Sequence, residues 1–96
     1  MECASPQLIK ALDVVDATWR VFVGHEVTVT SVCDGVHMNG SKHYVGDAAD
    51  LRVWDLTAIQ RHRMPARLRE ALGPDWDVVD EKDHIHIEYD PEVGDD

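Results

Sequence analysis

Two short stretches of this chain gather the side chains that hydrolytic and metal chemistry use. One is His84-Ile85-His86-Ile87-Glu88. The other is Ser41-Lys42-His43-Tyr44-Val45-Gly46-Asp47-Ala48-Ala49-Asp50. Side chains alternate across a strand, so His84, His86 and Glu88 would share one face, with Ile85 and Ile87 on the other. The isoleucines would bury and the histidines would line a wetter surface. A single H-x-H reads as a surface strand more readily than as a metal site. The second stretch supplies further donors. Gly46 lets the backbone turn so that His43 and Asp50 can converge, and Ala48 leaves room on the Asp50 face. Asp50 lies between Ala49 and Leu51 in a segment that reads as buried. A buried carboxylate is costly unless it is paired or binds a cation. Two imidazoles and one carboxylate suit catalytic zinc, which keeps one position for water and makes that water nucleophilic near neutral pH.

The surrounding pattern must position these groups. Ser5-Pro6 reads as an N-cap followed by proline at the first helical position. Leu8, Leu12, Val15, Trp19 and Phe22 then recur at helical spacing, and the helix stops near Gly24. Residues 26–32 alternate and are β-branched, which predicts a strand. Residues 33–42 hold glycines and an asparagine and read as a loop; so long a loop in a small domain points to function. A second strand is expected over 47–54. Residues 57–72 are helical in character, with Pro65 opening the last stretch and Gly73 closing it. Trp76 to Asp80 and His84 to Tyr89 read as a hairpin joined by the turn at 81–83. The order predicts an α+β domain, a small antiparallel sheet of about four strands packed with two helices. Residues 1–90 would form one domain and residues 91–96 an acidic tail.

Composition narrows the function. The chain has 96 residues and a formal charge of −10, from 19 acidic and 9 basic side chains. That balance disfavours nucleic-acid backbones and anionic membranes, although most of it reads as solvated surface. Cys3 and Cys33 suggest neither a disulfide framework nor a C-x-x-C zinc site. Met1-Glu2-Cys3 is not the basic start of a signal peptide, and the longest apolar run is too short to span a bilayer. The expectation is a protein made in the cytoplasm; if it acts outside a cell, something else must release it. Cys33 reads as a small core residue, His25 and His62 as surface, and Trp19, Trp54 and Trp76 as core or rim packing.

Ser41 to Asp50 fits S-x-H-x-x-G-x-A-x-D, and Asp83-His84-Ile85-His86 fits both H-x-H and acid-x-x-H. In these motifs and their order the chain resembles the zinc D-Ala-D-Ala carboxypeptidases and dipeptidases. That group includes phage endolysin peptidases and shares its fold with lysostaphin-type and hedgehog domains. The resemblance covers roughly residues 27–90. It implies His43, Asp50 and His86 as zinc ligands, Asp83 as general base in place of the usual glutamate, and His84 as oxyanion or substrate contact. It also implies that Ser41 binds the substrate backbone or carboxylate. Many members carry Ser-Gly-Tyr-Arg before the first motif; here the stretch is Ser31-Val32-Cys33-Asp34, without arginine. His37 and Arg52 are the candidate replacements for that cation. The implied function is Zn2+-dependent hydrolysis of a peptide bond in peptidoglycan, by a carboxypeptidase or an endopeptidase, with the stem peptide or another small peptide as partner. The implied source is phage or bacterial, with action at the cell wall. The alternative is a non-catalytic zinc-binding module such as a virion component.

Overall fold

The first helix forms because apolar residues recur on one side of it. Leu8, Ala11, Val15 and Trp19 make a buried stripe along α1 (Pro6–Phe22), the spacing that aligns side chains on one helical face. The computed structural model describes residues 6–32 and 48–90. Ser5, the loop at 33–42, the first motif up to Asp47 and the acidic tail lie outside the described residues. Trp19 O accepts from both Val23 N and Gly24 N at the helix end. The backbone leaves the helix through Gly24 at φ 105°, a conformation that side chains with a Cβ avoid.

The second helix, α2 (Ala58–Leu72), opens on a reciprocal cap. Thr57 Oγ1 accepts from Gln60 N, and Gln60 Oε1 accepts from Thr57 N, which satisfies two of the donors that a helix start leaves open. Pro65 was expected to begin a new stretch, but α2 runs through it without a break. The missing hydrogen bond costs about 3 kcal/mol. Full burial of Met64 and Leu68 offsets it at about 2 kcal/mol each.

Four strands complete the fold: β1 (Val29–Val32), β2 (Ala48–Arg52), β3 (Trp76–Asp80) and β4 (His84–Tyr89). They form one antiparallel sheet in the order β1-β2-β4-β3, so the architecture is α+β. The expected strands at 26–32 and 47–54 are shorter than the sequence pattern. Val27 packs on the core from just outside β1. The register slips between Val29 and Ser31, where Val29 opposes Leu51 and Ser31 opposes Asp50. This bulge at Thr30 keeps both Val29 and Val32 on the apolar side, where strict alternation would turn one of them outward.

Both helices cover the same face of the sheet. Ala49, Leu51, Ile85 and Ile87 are fully buried there against Leu8, Val15, Trp19, Met64 and Leu68. Alternation sends their neighbours Asp50, Arg52, His84, His86 and Glu88 to the opposite face. No helix among the described residues is long and apolar enough to cross a membrane.

Candidate metal centre

β2 and β4 are neighbours, and their register sets the site. Ala48 opposes Glu88, Asp50 opposes His86, and Arg52 opposes His84. Directly opposed residues on one face have their side chains within reach of each other. The result is an alternating row of acids and imidazoles. Asp83 Oδ1 lies 2.8 Å from His84 Nδ1, and His84 Nε2 lies 3.5 Å from Asp50 Oδ1. That same oxygen lies 2.8 Å from His86 Nδ1. His86 Nε2 lies 3.1 Å from Glu88 Oε1.

Asp50 is therefore not the stranded carboxylate that its apolar neighbours suggest. Its side chain keeps 16% exposure and meets two imidazoles. The sequence pattern places Ala49 and Leu51 in the core correctly, while Asp50 between them points the other way.

Burial disfavours a charged His86, yet its pKa is raised. Hydrogen bonds to Asp50 and Glu88 and their negative charges outweigh the desolvation. Both ring nitrogens of His86 face carboxylates, so both can donate only in the imidazolium form. Asp83 behaves differently. Its side chain is 79% exposed. The hydrogen bond from His84 is the largest influence on it and holds its carboxyl below the ordinary aspartate value.

Asp50 and His86 are the described members of the expected ligand set. His43, its third member, lies outside the described residues, as do Ser41 and His37. Among the described residues, no group of three or more His, Cys, Asp or Glu side chains is arranged to hold a metal ion. The two that converge do so with a suitable outer contact. A metal-binding histidine commonly gives its far N–H to a carboxylate, and Glu88 stands at that position for His86. Sequence spacing placed Glu88 on this face but assigned it no task; its position two residues after His86 was the available signal.

One similarity accompanies this geometry. The chain is 40% identical over 53 residues to Indian hedgehog B protein from Danio rerio. The match covers 55% of this chain and 13% of that protein. No model of a known protein family matches the chain, and no solved structure does.

A shallow cavity of about 200 Å³ adjoins the row, lined by Thr30, Asp50, Arg52, Trp54, Asp83 and His84. Trp54 is not core packing: it is 74% exposed, and the Arg52 guanidinium carbon lies 4.4 Å from its ring centre. Of the other tryptophans, Trp19 is buried and Trp76 tilts against Tyr89. Arg61 fixes the turn that carries Asp83. From α2 it pairs with Asp80 and donates to the Glu81 carbonyl at 2.6 Å.

Proposed function

We propose that this chain is a small zinc-dependent peptidase domain of the D-Ala-D-Ala carboxypeptidase-like group, acting on a peptide of the peptidoglycan stem. The observation that carries the reading is the convergence of Asp50 Oδ1 and His86 Nδ1 at 2.8 Å, on the face that also presents Asp83 and His84. Both converging residues belong to the sequence motifs of that group, and the partial likeness to a hedgehog protein gives the reading further support.

Asp50 and His86, together with His43, would hold the ion. Zinc supplies Lewis acidity toward a carbonyl and acidifies water when bound. Asp83 takes a proton from the attacking water and delivers it to the leaving amine. It is ionised at neutral pH, as a base must be, although its lowered pKa makes it weaker than a base tuned to the working pH. His84, oriented by Asp83, donates toward the developing oxyanion. The second reading is a zinc-binding module without turnover, favoured by the lack of arginine in Ser31-Val32-Cys33-Asp34.

The test is a metal assay paired with digestion of purified peptidoglycan. The peptidase reading expects about one equivalent of zinc and new amino termini that disappear in Asp83→Ala. Zinc bound with no new termini, for wild type and variant alike, rejects it in favour of the second reading. His86→Ala retaining full zinc affinity overturns the ligand assignment.

A further inference from the structure

His25 and Asp55 join two connections that are distant in sequence. Residues 23–28 link α1 to β1, and residues 53–57 link β2 to α2. His25 Nε2 lies 2.9 Å from Asp55 Oδ2, and its Nδ1 lies 2.8 Å from the Glu26 carbonyl oxygen. Both ring nitrogens therefore face acceptors, and both can donate only from the imidazolium. With one proton gone, a nitrogen lone pair faces an oxygen and one of the two contacts breaks. The same Asp55 oxygen accepts from Trp19 Nε1 at 3.4 Å, and Trp19 is fully buried. A buried indole N–H needs such an acceptor, so the pair at the surface reaches into the core. The other charged groups nearby stand on α1 and beside His25. Asp16 accepts from Val27 N and pairs with Arg20, and Glu26 adds its charge near Arg20. The hydrogen bond from Arg20 holds the Asp16 carboxyl below the ordinary aspartate range, so Asp16 does not change charge where a histidine does.

We infer that His25 and Asp55 form a proton-operated latch between these two connections. The protonated imidazole closes it, and loss of the proton opens it. Trp54 precedes Asp55 and lines the cavity beside Asp50 and His84, so the latch sets how firmly that wall is held. The sign follows from the charges: the latch contributes below the titration of His25 and is lost as pH rises through it. Neither residue belongs to the expected ligand set or carries a catalytic role, so the latch stands apart from the peptidase reading.

The test is NMR on the metal-free full chain across the range where histidine changes charge, about pH 5–8, in wild type, His25→Gln and His25→Arg. The Trp19 indole N–H should shift in a step whose midpoint matches that of the His25 imidazole. Amide protection at 25–28 and 53–57 should fall about twofold to fivefold over the same step, the scale of an exposed ion pair. His25→Gln should flatten both steps. His25→Arg keeps a cation at every pH and should hold the low-pH protection throughout, which separates a charge-operated latch from a merely structural histidine. A Trp19 step that survives in His25→Gln overturns the latch, as does protection that falls in His25→Arg as it does in wild type. A wild-type Trp19 resonance indifferent to the His25 titration overturns it too. His86→Gln is the control for the other carboxylate-paired imidazole: a Trp19 step that it removes belongs to His86 and overturns the assignment to His25.

Discussion

Asp50 and His86 oppose each other across β2 and β4, and Asp50 Oδ1 sits 2.8 Å from His86 Nδ1. The pair lies on the half-exposed face of the sheet, while their chain neighbours Leu51 and Ile85 oppose each other in the core. Asp50 thus acts on His86 through charge and a hydrogen bond together. Asp50→Asn keeps the shape and removes the charge. Its expected effect is a fall in the His86 pKa, since the desolvation remains while one opposing influence goes. Imidazole resonances followed by NMR across pH report the midpoint. An unchanged midpoint would show that Glu88 alone sustains the shift.

The raised pKa of His86 fixes the sign of a pH effect. Its folded value lies above the ordinary 6.5. In metal-free protein its stabilising contribution is complete below that ordinary value and is lost as pH rises through the folded one. The difference in denaturation midpoint between wild type and His86→Gln should therefore shrink with rising pH. Zinc and the proton compete for the same imidazole nitrogen, so zinc affinity should rise over the same window with proton release. Calorimetry in buffers of different ionisation enthalpy measures that release. Zinc affinity independent of pH across the window would count against His86 as a ligand.

Glu88 is expected to tune the metal without touching it. Glu88→Gln should weaken zinc binding about 10–100-fold, the usual effect of losing an outer carboxylate behind a ligating histidine. Competition with a chromogenic chelator measures it, and circular dichroism should show an unchanged fold. Complete loss of binding would instead make Glu88 a direct ligand.

Arg61 ties the turn before β4 to α2 through Asp80 and the Glu81 carbonyl. Arg61→Ala should lower stability by about 1–2 kcal/mol, the range for hydrogen bonds to a charged group partly exposed to water. Backbone amides at 81–83 should exchange faster with solvent, and Asp83 should lose its fixed relation to His84. Unaltered exchange in that turn would show that the hairpin holds itself.

Adjacent positions of β4 should differ sharply in their effect on stability. Ile85 is fully buried, and Ile85→Ala should cost about 2–5 kcal/mol. His84 is 32% exposed, and His84→Ala should cost about 1 kcal/mol or less. Urea midpoints of the two variants compare them directly. Equal losses would contradict the two-faced reading of the strand.

The hairpin from Trp76 to Tyr89 was legible from its residues alone, because alternation of isoleucine with polar side chains has one solution when only one face is covered. The stripe of α1 was legible for the same reason at helical spacing. Pro65 was misread because local backbone chemistry forbids what tertiary burial of Met64 and Leu68 permits. Alternation over 26–32 gave no notice of the bulge at Thr30, since two apolar positions out of phase can be reconciled only by a partner strand.

For the candidate site, the sequence determined residue types and sides. It placed His84, His86 and Glu88 on one face and named Asp50 as a carboxylate in need of a partner. Which groups meet was decided by the β2–β4 register, a relation between segments far apart in the chain. That register sets Asp50 against His86, not His84, and brings Arg52 to His84. It also explains why Asp50, flanked by fully buried residues, keeps some contact with solvent: the pleat sends adjacent side chains to opposite faces, and the helices cover only one of them.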